Sequence, residues 1–204
     1  VAWYDSSDLT TITKDGSDLV SLWKDKLGSG NDLVNGTGVL TTPTWTTDGM
    51  LFNGVANHMR KDFVYEQPEM IYLVIKMVSW TINDTFMDGY TVNTGLLRQR
   101  TSTPNIGIYG GSAYSADNGD LAVDELAILR IRFQGATSKL QVNEHNATTG
   151  SYGTSSMNGV YLGSNGGGAF NGHGYILEAI FRNVADGVID ESNIYDYLKA
   201  KYSL

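Results

Sequence analysis

The segment LAVDELAILRIRF, Leu121 to Phe133, contains the pattern on which the fold assignment rests. In its last residues Arg130 and Arg132 alternate with Ile131 and Phe133. A period of two is typical of a β-strand with one face on a core and the other toward solvent, whereas a helix repeats every 3.6 residues. The segment therefore predicts a half-buried strand.

Four other apolar segments have the same strand-like composition, rich in Val, Ile, Leu, Tyr and Phe. They are MIYLVIKMVSW (Met70 to Trp80), Lys139 to Val142, Gly159 to Gly163, and GYILEAIFR (Gly174 to Arg182). The chain has 24 glycines and only 3 prolines, and Gly, Asn, Asp and Ser separate these segments. This punctuation predicts many strands joined by turns, in a largely antiparallel order.

Two segments differ from this pattern. Between Asp190 and Tyr202, apolar residues recur at steps of three and four, and Asp190 could accept the free amide hydrogens of a first helical turn. We predict a short carboxy-terminal helix there. The stretch Leu19 to Trp23 fits either a helix or a short buried strand.

Length and composition place limits on the class of protein. The 204 residues suffice for a sizeable core, and neither a linker-like tract nor an internal repeat divides them, so we expect one domain over residues 1–204. The absence of cysteine excludes disulfides, thiol nucleophiles and cysteine-bound metals. The net charge of -8 disfavours nucleic acid as a partner, and no apolar run is long enough for membrane insertion.

Three stretches, in order along the chain, resemble one known family. They are AWYDSSDLTTITKDGSDLVSLWKDKLGSGND (Ala2 to Asp32), LFNGVANHM (Leu51 to Met59), and the closing segment Tyr161 to Tyr202. The first contains a Trp-Tyr-Asp-x-Ser-Asp start and a Trp-x-Asp-Lys element followed by Gly-x-Gly-Asn. Together they resemble laminin-G-like domains of the concanavalin A-like lectin/glucanase superfamily.

This resemblance implies an all-β fold, a jelly-roll sandwich of two antiparallel sheets with a short carboxy-terminal helix. Members of the superfamily include lectins, carbohydrate-binding modules, glucanases, polysaccharide lyases, and adhesion modules of phage and bacterial surface proteins. Since one fold supports many activities, the family does not fix the function.

The middle of the chain supplies side chains suited to a sugar, which offers flat C–H patches and rims of hydroxyls to aromatic rings and polar groups. Our candidate ligand-binding residues are Trp80, Asp88, Tyr90, Arg98, Arg100, Tyr109 and Tyr114. Arg98 and Arg100, two apart, would share a strand face and could bind the carboxylate of an acidic sugar. Trp80 and the tyrosines also fit a core with satisfied polar tips.

Patterns for catalysis and metal binding are weaker. The Glu-x-Asp-x-x-Glu element of the laminarinase-type enzymes is missing, Glu178 stands alone on a strand, and Gln141-Val142-Asn143 only partly matches a lyase element. Calcium stays open as a cofactor, with oxygen ligands at Asn83-Asp84, Asp88 and Asp117 to Asp120. The glycine-rich stretch GSNGGGAFNG, Gly163 to Gly172, lacks the phosphate-loop pattern and is typical of a bend between strands.

The sequence therefore favours a non-catalytic carbohydrate-binding or adhesion module of a larger extracellular, cell-surface or virion-surface protein. Its partner would be a polysaccharide or other glycan, and neighbouring domains are expected. One alternative is a polysaccharide-degrading hydrolase or lyase of the same fold. Another is a structural module for assembly that binds no sugar.

Overall fold

Sixteen β-strands and one α-helix form the regular structure of residues 1–36 and 42–204, the part of the chain that the computed structural model describes. In chain order they are β1 (Ala2–Asp5), β2 (Ile12–Lys14), β3 (Val20–Trp23), β4 (Leu33–Asn35), β5 (Thr44–Thr46), β6 (Gly49–Asn53), β7 (Met59–Asp62), β8 (Glu69–Met77), β9 (Thr85–Gly89), β10 (Leu96–Gln99), β11 (Ile106–Tyr109), β12 (Leu126–Phe133), β13 (Ser138–Val142), β14 (Thr148–Gly150), β15 (Gly159–Leu162), β16 (His173–Arg182) and α1 (Val188–Tyr202). Short 3-10 helices occupy Leu9–Thr11 and Gly135–Thr137.

The strands form two antiparallel sheets. The first sheet has the order β14-β13-β12-β8-β16-β6-β5, with β1 also paired to β16. The second has the order β11-β10-β9-β15-β7-β4-β3-β2. The predicted all-β sandwich with a short carboxy-terminal helix is confirmed, and the stretch that fitted either structure is strand β3.

Alternate residues of both sheets fill the core between them. On β12, Leu129, Ile131 and Phe133 are buried there, as their period of two predicts. On β15, Val160 and Leu162 enter the same core from the second sheet. Each fully buried side chain of this kind contributes about 1.5–3 kcal/mol, so the two facing layers supply the main stabilisation.

Helix α1 covers the outer face of the first sheet. Tyr195 and Leu198 of the helix form a second apolar cluster with Met70 and Tyr72 of β8 and with Ile128 of β12. Strand β8 is therefore buried on both faces, which explains why its sequence is continuously apolar and does not alternate.

The cover provided by α1 corrects the solvent face that we predicted for β12. Arg130 is half-buried under the helix, where it donates a hydrogen bond to Glu191 (3.2 Å) and lies 4.2 Å from the centre of the Tyr195 ring. The helix also begins earlier than predicted, at Val188, and its N-cap is Gly187 in place of Asp190. Asp190 lies within the first turn, where its negative charge interacts favourably with the positive end of the helix dipole.

Glu178 on β16 connects the two ends of the chain. Its buried carboxylate accepts hydrogen bonds from the Trp3 indole (2.6 Å), the Lys201 ammonium (2.7 Å) and the hydroxyls of Tyr202 (2.8 Å) and Tyr197 (3.2 Å). This carboxylate, isolated in the sequence, therefore fixes α1 and β1 to the first sheet. None of the described helices combines the length and apolarity of a bilayer crossing.

Candidate functional site

The outer face of the second sheet carries the side chains of the candidate site. On β7, β9, β10 and β15, one residue of each neighbouring pair enters the core and the next points outward. The core members, in register across the four strands, are Met59, Met87, Leu97 and Leu162. The outward neighbours are Arg60, Asp88, Arg98 and Tyr161.

Arg98 lies at the centre of one group of side chains on this face. It donates a hydrogen bond from Nη1 to the Tyr114 hydroxyl (3.0 Å) and another from Nε to Thr85 Oγ1 (3.3 Å). The guanidinium carbon lies 4.9 Å from the centre of the Phe170 ring, and Phe170 is 51% exposed. An exposed ring beside a guanidinium group is the combination that a sugar surface requires.

Arg100 and Tyr109 complete this group, which we call the Arg98 cluster (Arg98, Arg100, Tyr109, Tyr114 and Phe170). The Arg100 guanidinium stacks 4.0 Å from the centre of the Tyr114 ring, which lies 4.8 Å from that of Tyr109. Arg100 also pairs with Asp117 at 3.3 Å. The structure thus brings together four of the seven predicted ligand-binding residues.

Residues 163–172, the glycine-rich loop, present Phe170. The Asn165 side chain accepts hydrogen bonds from the backbone of Gly167 (3.1 Å) and Ala169 (2.8 Å), so the loop folds on itself. The Phe170 carbonyl accepts a hydrogen bond from the Thr85 amide (2.7 Å), which fixes the loop to β9. Phe170 has a φ of +54°, a left-handed conformation that is costly for a bulky residue.

Asp88 holds this loop and a neighbouring one in place. Its carboxylate accepts hydrogen bonds from the backbone amides of Gly166 (3.0 Å) and Asn93 (2.8 Å), and also from those of Gly89, Thr94 and Gly95. The side chain is 0% exposed, and burial raises its pKa while the amide hydrogens act in the opposite direction. Asp88 therefore lies beneath the loops and not at the surface where a ligand would contact it.

Trp80 is likewise not an exposed ring. It is half-buried and packs against the core between the sheets, and its indole nitrogen donates to the Thr101 carbonyl at 2.7 Å. This is the arrangement of a core aromatic residue whose polar tip is satisfied.

Tyr90 belongs to a second group, the Arg60 cluster (His58, Arg60, Tyr90 and Tyr161). Arg60 donates from Nη1 to the Tyr161 hydroxyl at 2.6 Å. The Tyr161 ring stacks on His58 (5.5 Å between centres, 28° between planes) and lies 5.6 Å from the Tyr90 ring. Burial lowers the pKa of His58, which favours the neutral form of this imidazole.

Sequence reasoning missed Phe170 and three members of the Arg60 cluster. The signal for Phe170 was present, because a lone aromatic residue among Gly and Asn has few neighbours to bury it. Arg60 and Tyr161 are 101 residues apart, and only the pairing of β7 with β15 brings them together.

The chemistry of both clusters suits binding. They offer guanidinium donors and the exposed rings of Phe170 (51%) and Tyr90 (38%), and the nearby Asp117 carboxylate is engaged by Arg100. Across residues 1–36 and 42–204, no three His, Asp or Glu side chains group as a metal site. A calcium ion at the predicted loops stays an untested hypothesis.

Comparison with known proteins finds structural similarity without sequence similarity. No protein-family model and no curated protein matches the chain. A Trypanosoma rangeli sialidase in complex with sialic acid superimposes with a TM-score of 0.65 at 10% identity, over 96% of this chain and 32% of that one. A mutant GH54 α-L-arabinofuranosidase soaked with 4-nitrophenyl α-L-arabinofuranoside gives 0.66 at 13% identity, over 87% of this chain and 50% of that one.

The chain thus spans about a third of the sialidase and half of the arabinofuranosidase. At these identities the similarity establishes the fold alone. Proteins that act on carbohydrates nevertheless contain this same arrangement of sheets.

Proposed function

We propose that the chain is a non-catalytic carbohydrate-binding or adhesion module that binds a glycan on the Arg98 cluster. The observation that carries the proposal is the exposed Phe170 ring, which its loop fixes beside Arg98 and Tyr114. The ring would stack on the C–H face of a sugar, and the guanidinium and phenol groups would bind its hydroxyls.

Features of the fold support this location over the opposite side of the molecule. Helix α1 occupies the outer face of the first sheet, whereas the outer face of the second carries two clusters of aromatic and arginine side chains. A strained conformation at an exposed aromatic residue is typical of a functional site, since folding alone would favour glycine there.

We also propose that the chain is a laminin-G-like domain of the concanavalin A-like superfamily and belongs to a larger extracellular or virion-surface protein. In support of this, the first and last of the stretches that resemble the family lie next to each other in the structure. The motif that begins at Trp3 forms β1, and Lys201 and Tyr202 near the end of the chain bind the same Glu178 carboxylate as Trp3.

Glycan-array screening followed by calorimetric titration of a retained glycan tests the proposed function. Phe170→Ala should weaken binding about tenfold or more, since an aromatic contact and its buried area contribute about 1.5 kcal/mol. Val188→Ala is the matched control, because Val188 is an exposed apolar residue on α1, on the far side of the first sheet. Equal losses in both variants, or no glycan retained by the parent protein, would refute the proposal.

The enzyme alternative is tested on the same glycans. Prolonged incubation of the protein with each retained polysaccharide should release neither reducing ends nor unsaturated uronates. Product formation that scales with protein concentration would replace the binding module with a hydrolase or lyase.

A further inference from the structure

The arginines of this acidic protein are not all paired. Three of the six pair with carboxylates: Arg100 with Asp117, Arg130 with Glu191 and Arg182 with Asp186. Arg132 donates to the Thr137 carbonyl on the first sheet. Within the described part of the chain, Arg60 and Arg98 donate only to hydroxyl groups.

Arg60 and Arg98 occupy the same face, and the glycine-rich loop approaches the side chains around both. A side chain at Gly168 would meet the His58 ring of the Arg60 cluster at 3.5 Å, and Phe170 lies beside Arg98. The two arginines are on β7 and β10, which the order β10-β9-β15-β7 separates by three strand spacings. Their separation across the sheet is therefore about 15 Å, which a single sugar ring cannot span and an oligosaccharide can.

Each arginine is combined with a tyrosine in the same way. The hydroxyl of Tyr161, a residue only 5% exposed, accepts a hydrogen bond from Arg60, and that of Tyr114 accepts one from Arg98, so each phenol holds a guanidinium group in place. Arg98 commits two of its five N–H groups to Tyr114 and Thr85 and keeps three for a ligand. Both groups of side chains thus offer hydrogen-bond donors and a positive charge.

Such donor-rich sites distinguish between glycans. A neutral sugar hydroxyl both donates and accepts, so a site of donors satisfies only part of it, whereas a carboxylate or sulfate accepts several hydrogen bonds and neutralises the guanidinium. With 22 Asp and Glu residues in the chain, two guanidinium groups without a carboxylate partner on one face point to an anion supplied by the ligand.

We propose that the ligand is a polyanionic glycan that lies across the strands, with separate carboxylate or sulfate groups bound by Arg98 and by Arg60. This inference rests on the proposed glycan-binding function and adds the ligand's charge, its minimum length and its direction. Arg98 and Arg60 are the residues that determine specificity, and the glycine-rich loop lies between the two anion positions.

The test uses calorimetric titration with polygalacturonate, alginate, heparin and dextran sulfate, and with unsulfated dextran as the neutral probe. At least one polyanion should bind, and its affinity should fall steeply between 50 and 300 mM salt, a range chosen to span a fall in Debye length from about 14 to about 6 Å. Arg98→Gln and Arg60→Gln should each weaken binding about tenfold or more. Arg98→Lys, which keeps the charge without the planar fork, should fall between the parent and Arg98→Gln.

Arg132→Gln is the matched control, because it removes an equal charge from the other sheet, and urea unfolding midpoints confirm that every variant is folded. Equal losses in Arg132→Gln and Arg98→Gln indicate nonspecific charge attraction and overturn the inference. Undiminished affinity in Arg60→Gln, or equal affinity of the parent protein for monomeric galacturonic acid and for polygalacturonate, overturns the binding of separate anionic groups by Arg98 and Arg60. If the protein binds neutral glycans but no polyanion, the inference is refuted and the proposed function stands. If it binds no glycan, both are refuted.

Discussion

Substitutions at Phe170 test whether the backbone of this residue is strained in the folded protein. Its φ of +54° costs a residue with a Cβ atom about 1–2 kcal/mol, a cost that glycine avoids. Phe170→Ala removes the ring and keeps the strain, whereas Phe170→Gly removes both. Glycine has more conformational freedom in the unfolded chain, which offsets about 0.5–1 kcal/mol of this gain. The Gly variant should therefore be more stable than the Ala variant by about 1 kcal/mol.

Both variants lose the same contact of the ring with Arg98, so the difference between them isolates the backbone contribution. For a chain of this size, the predicted difference in melting temperature is about 2–4 °C, measurable by calorimetry and by urea unfolding. Ala200→Gly is the control: Ala200 is an exposed residue of α1, where glycine should instead destabilise by about 0.5–1 kcal/mol. A Phe170→Ala variant as stable as Phe170→Gly, or more stable, would contradict the strain argument.

Three further predictions concern buried carboxylates. Burial raises the pKa of Glu69 from 4.5 to about 8, so the stability that this group contributes is present below pH 4.5 and is lost as the pH rises to 8. In urea titrations, the free energy of unfolding of Glu69→Gln should therefore decline less over this pH range than that of the parent. An equal decline in both proteins would count against the prediction. Burial opposes ionisation of Asp5, but hydrogen bonds from Lys201 and Lys26 lower its pKa from 3.8 to about 2. Asp5→Asn should therefore reduce the free energy of unfolding by about 2 kcal/mol at pH 7, and by progressively less as the pH falls from 3.8 to 2. Parallel stability curves for parent and variant over this pH range would show that the pairing has no effect. Asp88→Asn should cost about 2–3 kcal/mol and speed amide hydrogen exchange in residues 89–95 and 163–172, and unaltered exchange there would show that Asp88 does not hold the loops.

The sandwich could be predicted because its signals are local. Period-two alternation near Ile131, turn residues between apolar runs and the helical spacing before Tyr202 all lie within short windows. The position of α1 could not be predicted in this way. A strand face with Arg130 has the same sequence whether it meets solvent or a helix, since a long arginine can pair with Glu191 and stack on Tyr195 under a cover.

The candidate site could be predicted where its residues share one stretch of the chain. Arg98 and Arg100 both reach Tyr114, which follows closely in the sequence. The Arg60 cluster depends on strand pairing over a hundred residues, and a single sequence carries no trace of such pairing. The composition around Asp88 predicted a polar ligand contact, but amides from two loops that close over it use its carboxylate.

Strand β16 determines when the first sheet can form. It pairs with β8 along one edge and with β6 and β1 along the other, and the partners of β1 are Glu178 to Phe181, far along the chain. A ribosome must therefore release the chain through Phe181 before β1 can pair with β16, and closing so large a loop is entropically slow. We expect the first sheet to fold late and cooperatively, once β16 is available, and a product that stops before His173 would expose unpaired strand edges and aggregate.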